Sequence, residues 1–220
     1  MSRKEIKAIA KDCVKGNKMT YFLIAFVLSL ILSTISIVIS VLGALIGDAG
    51  VVISSLLSAL ASLLYTGCIT VGMAKVHMNL YDRGYIKFSD AWYGFKNIIG
   101  NVRLFLRLYI FTFLWSLLLF IPGIVKSYSY ALTPYIKADA PNMTAKECIR
   151  QSMEIMKGNK MKLFIQDLSF IGWGLLVAPT AGLILFWLIP YMQAARAGFY
   201  RELVGRQDTA VYYCGVTQVG

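Results

Sequence analysis

The chain has 220 residues, of which 58% are hydrophobic and only 15% are charged, and its formal net charge is +11. Soluble domains average about 45–50% apolar and about 25% charged residues, so this composition excludes an ordinary soluble enzyme domain and indicates an integral membrane protein. All 22 basic residues lie outside the windows 19–74, 108–125 and 163–195. That distribution is a membrane topology signal rather than a nucleic-acid-binding surface.

The first predicted element is an amphipathic helix over residues 2–15. Ser2 and Glu5 have the spacing of a capping box, in which the two side chains satisfy free backbone amides. Apolar side chains from Ile6 to Val14 recur with helical spacing, and lysines fill the other face. We therefore expect this helix to lie in the membrane interface.

The block Lys15-Gly16-Asn17-Lys18-Met19 ends this helix and returns unchanged at residues 157–161. Glycine readily adopts the left-handed conformation that ends helices, and asparagine tolerates it. Each copy is predicted to form a corner where a surface helix turns into the membrane, and a reduced copy forms a third corner. The corner positions are Gly16, Asn17, Gly100, Asn101, Gly158 and Asn159.

Six apolar segments follow from this plan. They cover about residues 19–46, 51–81, 102–121, 124–138, 161–177 and 183–203. Two further surface helices are predicted at 89–99 and 144–157. Ser89 and Asp90 can cap the first, and Thr144 begins the second with a capping box. The predicted outer turns contain no Lys or Arg and lie at 47–50, 122–123 and 178–182.

We expect an all-α integral membrane protein with six transmembrane helices in three hairpin units, each preceded by a cytoplasmic amphipathic interfacial helix. Residues 1–204 would form a single membrane domain of the pseudo-repeats 2–84, 89–139 and 144–204, and residues 205–220 a flexible cytoplasmic tail. Basic residues collect on the cytoplasmic side of membranes, so the chain is predicted to be a multi-pass protein of the cytoplasmic membrane with both termini inside. The four cysteines lack Cys-x-x-Cys spacing and there is one histidine, so we expect four free thiols, no metal site and no cofactor.

The second half of the chain carries several distinctive motifs. They are Ile121-Pro122-Gly123-Ile124-Val125-Lys126, Pro134-Tyr135-Ile136-Lys137-Ala138-Asp139, Met156-Lys157-Gly158-Asn159-Lys160, and Pro190-Tyr191 followed by Ala197-Gly198-Phe199-Tyr200. With them, this half resembles a bacterial membrane family catalogued as domain of unknown function 975. The first half fits more loosely, through its corner and Tyr81-x-x-Gly84. The resemblance implies a six-span protein of the cytoplasmic membrane with no established activity.

Six polar side chains are the candidate cavity or intramembrane residues. They are Lys126, Tyr128, Tyr130, Asp167, Gln193 and Arg196. Ionisable groups inside membranes are rare, and they usually pair with one another or face water. Lys126 either reaches the outer headgroups or lines a cavity beside the two tyrosines. Asp167 is expected to pair with Arg196 or Arg103, or else to couple protons or substrate.

No catalytic constellation is recognisable in the sequence, so we predict a non-enzymatic protein. The first hypothesis is an accessory or scaffold protein in envelope homeostasis, stress or peptide tolerance. The second is a small transporter, or a lipid- or small-molecule-binding membrane protein, with an inward-opening cavity. Anionic lipid headgroups at the cytoplasmic face are the expected partners. A membrane-protein partner or a second copy of the chain is a further candidate, and nucleic acid is not expected.

Overall fold

A computed structural model describes residues 3–118, 120–174 and 184–205, together with Thr180 and Gly182. Within these residues the fold is built of helices and contains no strand, which confirms the all-α prediction. The helices are α1 (Arg3–Ala44), α2 (Asp48–Arg83), α3 (Phe88–Ala91), a 3-10 helix (Trp92–Asn97), α4 (Ile98–Leu118), α5 (Phe120–Tyr130), α6 (Thr133–Asp139), α7 (Ala145–Ile155), α8 (Lys160–Gly174) and α9 (Leu185–Val204).

Three helical stretches are long and apolar enough to cross a membrane: Lys4–Ala44, Asp48–Arg83 and Phe88–Trp115. In the most apolar 18-residue window of each stretch, only 11%, 17% and 11% of the window, respectively, is buried inside the protein. Within these stretches, side chains such as Leu42 and Leu56 are 58% and 68% exposed. Large contiguous apolar surfaces are rare on soluble proteins, so this surface is suited to lipid.

Helix α1 is continuous over 42 residues, so the corner predicted at Gly16 and Asn17 is wrong. At 1.5 Å per residue the helix is about 63 Å long, roughly twice the hydrocarbon thickness of a membrane. The Asn17 amide donates hydrogen bonds to the carbonyl oxygens of Cys13, at 3.0 Å, and Gly84, at 2.6 Å. These bonds attach the first part of α1 to the end of α2, and this part continues in line with the rest of the helix.

At the second full copy of the block a helix does end, as the predicted corner requires, while the entry of the next helix into a membrane stays a prediction. Helix α7 ends at Ile155, Gly158 has a φ of 81°, and α8 begins at Lys160. Asn159 donates a hydrogen bond back to the carbonyl oxygen of Ile155 at 3.0 Å. Because the two blocks are identical in sequence, their different conformations must come from what packs around them.

The reduced copy at Gly100 and Asn101 forms no corner either, because both residues lie inside α4. The departure from regular α-helix comes earlier, in the 3-10 helix Trp92–Asn97. Asn101 donates its side-chain amide to the carbonyl oxygen of Gly94 at 2.5 Å, which attaches α4 to the 3-10 helix.

The predicted outer turns differ in accuracy. Gly47, with a φ of 88°, lies in the turn between α1 and α2, but the rest of the predicted turn, residues 48–50, belongs to the start of α2. The second turn is displaced, since Pro122 and Gly123 lie in the first turn of α5. Proline is tolerated there because the first amides of a helix have no helical partner.

The predicted fourth span, 124–138, is not one helix. Helix α5 ends at Tyr130 and α6 begins at Thr133, with Pro134 in the first turn of α6. Proline cannot donate to the carbonyl four residues earlier, so the helical ladder breaks at this point.

Some predictions fall outside the described residues: the Ser2 cap, most of the turn at 178–182, and the tail beyond Gly205. Cys68 and Cys148 are free thiols as expected. Cys13 is disulfide-bonded, so the expectation of a free thiol is wrong for this residue.

A buried core lies at the end of the molecule opposite the α1–α2 turn, and we call it the basal core. It includes Ile6 of α1, Met78 of α2, Ile136 of α6, Cys148 of α7 and Phe199 of α9, each at most 2% exposed. The apolar face of the first part of α1 is therefore covered by protein. This segment belongs to the same continuous helix as the apolar stretch that follows it, so it is not a separate surface helix.

The two copies of the block give a matched stability test. Gly16→Ala should be neutral or stabilising by up to about 1 kcal/mol, because alanine favours a helix and nothing lies within 4 Å of the added Cβ. Gly158→Ala should destabilise by about 1–2 kcal/mol, the cost of a left-handed conformation for a residue with a Cβ. Thermal unfolding in one detergent compares the variants, and equal losses would contradict the continuous α1.

Candidate functional site

Arg201 on α9 binds carboxylates from two other helices, in an arrangement we call the Arg201 clamp. Its Nε and Nη2 lie 3.0 Å and 2.6 Å from the two oxygens of Asp82 on α2. Its Nη1 lies 2.7 Å from Oδ2 of Asp139 on α6. The side chains of Arg201 and Asp82 are each 9% exposed, and that of Asp139 is 12% exposed. The planar guanidinium suits this two-sided recognition, because its fork of donors matches carboxylate geometry.

Aromatic side chains close one side of the clamp. The hydroxyl of Tyr200 donates to Asp139 Oδ2 at 3.0 Å. The ring of Tyr200 stacks on that of Tyr135, with 5.7 Å between ring centroids. Apolar rings and a hydrogen bond thus surround charges that would be costly to bury alone.

The clamp residues were not among the predicted site residues. Each of them lies near the C-terminal end of the last helix in its predicted unit: Asp82 in 2–84, Asp139 in 89–139 and Arg201 in 144–204. The sequence signal that could have indicated the clamp is the presence of two acidic residues and one arginine near the C-terminal ends of the three predicted units.

Asp167 pairs with Arg196, one of its two predicted partners. Arg196 Nη2 lies 2.8 Å from Asp167 Oδ2, with side-chain exposures of 29% and 19%. The hydroxyl of Tyr128 donates to the same oxygen at 3.2 Å. Three of the six candidate side chains are thereby brought together, from α5, α8 and α9.

Two further hydrogen bonds extend this polar region towards α1 and α2. Tyr135 donates its hydroxyl to Gln193 Oε1 at 3.3 Å. The Tyr21 hydroxyl and His77 Nε2 are 3.1 Å apart.

Lys126 and Tyr130 lie apart from this group and share a different partner, Trp115 of α4. The Lys126 ammonium lies 4.7 Å from the centroid of a Trp115 ring, which is a cation–π contact. Tyr130 is 8% exposed and interacts with the Trp115 side chain. The structure therefore does not bring all six candidates to one place.

Gln166 was not predicted as a site residue. It lies next to Asp167 on α8, is 1% exposed, and neither atom of its side-chain amide has a hydrogen-bond partner among the described residues. An unsatisfied buried polar group costs about 1–3 kcal/mol, so Gln166 is a weak point of the packing.

Cavities lined by described residues lie elsewhere. A groove of about 700 Å³ separates α4 from α7, and one of about 220 Å³ lies between α1 and α9. A third cavity, of about 380 Å³, lies between α2, the 3-10 helix and the loop after α6. The six candidate side chains line none of these three. Within the described parts of the chain, no three His, Cys, Asp or Glu side chains are grouped as metal ligands.

Residues 1–126 and 116–207 match the family described as "Protein of unknown function (DUF975)". The chain belongs to this family. The match covers both halves of the chain and so extends the resemblance first seen in the second half. No curated protein and no solved structure matches the chain. The family description of DUF975 names no activity, so function must be argued from the side chains.

Arg201→Met tests the clamp. It should destabilise the protein by about 3–5 kcal/mol, because two buried carboxylates lose their cation. Arg150→Met is the control, since its pair with Glu154 at 3.9 Å is 71% exposed on both sides and such pairs are worth about 0–1 kcal/mol. Chemical unfolding of both variants gives the comparison, and similar losses would show that the clamp does not stabilise the fold.

Gln166→Leu tests the unsatisfied amide. The substitution keeps the size of the side chain and removes two unpaired polar atoms, so stability should rise by about 1–3 kcal/mol. Gln193→Leu, which removes the acceptor of the Tyr135 hydroxyl, should instead lower the melting temperature. If Gln166→Leu also lowers it, the amide has a partner such as a bound water.

Proposed function

We propose that this DUF975 member is a non-enzymatic integral membrane protein that acts as an accessory or scaffold in the cell envelope. In this proposal it crosses the bacterial cytoplasmic membrane six times, with both termini inside. Its role would be in envelope homeostasis, stress tolerance or tolerance of membrane-active peptides.

The observation that carries the proposal is that the buried and half-buried charges of two clusters are paired with one another. Asp167 binds Arg196 and Tyr128, and the clamp joins Arg201 to two acids. Charges that are already paired hold helices together, whereas a transport or catalytic site needs groups available to a substrate. This supports a structural role over the inward-opening transporter considered from sequence.

The positions of basic residues support the proposed orientation. Helix α7 buries Ile149 and Ser152 and exposes Lys146 and Arg150, so it could lie at the inner membrane surface with its charges towards headgroups. Its capping box has formed as predicted, with Thr144 N–H donating to Glu147 Oε2 at 2.8 Å.

The negative charge on Glu147 stabilises the N-terminal cap of α7. Hydrogen bonds from Thr144 lower the pKa of Glu147 below its ordinary value. A lowered carboxyl pKa contributes stability above the unfolded-state pKa, and this contribution is lost as pH falls through the lowered pKa. The cap should therefore be fully formed at neutral pH.

The orientation is tested with single cysteines in a background without native cysteines. A cysteine at Asp48, beside the α1–α2 turn, should react with a membrane-impermeant maleimide added to intact cells. A cysteine at Lys157, beside the α7–α8 corner, should react only after the membrane is opened. Labelling of the Lys157 position in intact cells would contradict the proposed topology.

The cellular role is tested by deleting the gene and challenging cells with detergents, cationic peptides and cell-wall inhibitors. The scaffold proposal expects increased sensitivity to at least one of them, restored by the wild-type gene and less well by Arg201→Met. Unchanged growth under every challenge would count against it.

A further inference from the structure

The cavity of about 380 Å³ beside the 3-10 helix has the features of a built site. Its volume lies in the lower part of the range typical of ligand cavities, about 300–1,000 Å³. It involves neither the Arg201 clamp nor the Asp167–Arg196 pair. None of its lining residues is acidic, and the polar ones are Tyr93, Lys96, Asn97, Asn101, Lys137 and Asn142.

Asn101 presents an unsatisfied acceptor in the cavity wall. It is 3% exposed, and its amide orientation is set because Nδ2 donates to the carbonyl oxygen of Gly94 at 2.5 Å. Its Oδ1 has no hydrogen-bond partner among the residues that the structure describes. Leaving a buried acceptor unpaired is unfavourable, so a ligand donor that reaches Oδ1 removes this cost.

Lys137 presents a buried positive charge in the same wall. It is 2% exposed, and Nζ donates to the carbonyl oxygens of Pro141 at 2.8 Å and Met143 at 2.6 Å. One of its three N–H groups remains, and no carboxylate of the described residues lies within ion-pair distance of it. Buried ammonium groups are normally paired with an anion.

The surroundings add positive potential and rigidity. Lys96 adds a second ammonium at the exposed edge, 5.5 Å from the centroid of the Tyr93 ring. The 3-10 helix packs directly against α2 in this wall. A Cβ on Gly94 would overlap the carbonyl group of Cys68 on α2, so the two backbones are in close contact there.

We propose that this cavity binds a phosphate ester that carries a neighbouring hydroxyl group. The phosphate accepts the remaining N–H of Lys137 and faces Lys96, and the hydroxyl donates to Asn101 Oδ1. A soluble polyol phosphate has this chemistry, and so does the headgroup of phosphatidylglycerol. The site is independent of the scaffold role, since it shares no residue with the paired charges that support that role.

The test uses the full-length protein in phosphatidylcholine nanodiscs. In one arm, calorimetry measures binding of glycerol 3-phosphate, with methyl phosphate and glycerate as probes that lack the hydroxyl or the phosphate. In the other arm, native mass spectrometry compares retention of phosphatidylglycerol with that of phosphatidylcholine. Lys96→Glu is the main variant because Lys96 is exposed and its loss should not affect folding. Lys137→Met is the second variant, and Lys146→Glu on α7 is the control.

Saturable binding of glycerol 3-phosphate, selective retention of phosphatidylglycerol, or both would support the site and identify the source of the ligand. Methyl phosphate and glycerate should each bind about tenfold more weakly, the equivalent of one lost hydrogen bond or charge contact. Lys96→Glu should weaken binding at least about tenfold, and Lys146→Glu by less than about twofold. Absence of binding in both arms, equal effects of Lys96→Glu and Lys146→Glu, or equal binding of glycerate would overturn the proposal.

Discussion

Arg201 donates to carboxylates on two other helices, and this contact fixes the basal end of the molecule. It joins α9 to α2 through Asp82 and to α6 through Asp139, with side chains that are 9–12% exposed. Away from this end, the three long apolar stretches bury at most 17% of their most apolar windows in the protein. Helices that share little buried surface need polar contacts to define how they meet, because lipid gives no hydrophobic drive for one helix to pack on another.

Small residues on α9 allow the clamp to close. Ala194, Ala195 and Ala197 are fully buried, and a Cβ on Gly198 would overlap the ring of Tyr81. This narrow face lets α9 approach both α1 and α2 closely, which brings Arg201 within reach of Asp82. The Asp167–Arg196 pair, one and a half turns earlier on α9, attaches α8 to the same helix. Helix α9 is thus the element through which the three predicted units meet.

The sequence predicts the all-α class, the turn at Gly47 and the Thr144 capping box, and it narrows the partner of Asp167 to two arginines. The helical class follows from composition, and the turn and the capping box follow from residues that are close in sequence. The pairing of Asp167 follows from the rarity of charges in apolar segments. The corners at Gly16 and Gly100 were wrong because the conformation of a Gly-Asn pair is decided by its neighbours in space. Asn17 finds the carbonyl of Gly84, 67 residues away, and no local pattern indicates that contact.

Local sequence patterns also could not predict that the six candidate residues would lie in separate groups. Lys126, Tyr128 and Tyr130 are neighbours in sequence, but the helix directs the first and third to Trp115 and the second to Asp167. Helical periodicity alone separates position 128 from 126 and 130 by about 200° and so predicts that they diverge. It does not say which helix each face will meet. The Arg201 clamp could have been predicted only with the knowledge that the C-terminal ends of α2, α6 and α9 come together.

Arg201 couples helices from different predicted units, and a double-mutant cycle measures this coupling directly. Unfolding free energies of Asp82→Asn, Arg201→Met, the double variant and the wild-type protein would be obtained in one detergent. We expect a coupling energy of about 2 kcal/mol or more between the two positions, as for side chains in one buried network. Additive effects, within about 0.5 kcal/mol, would contradict it.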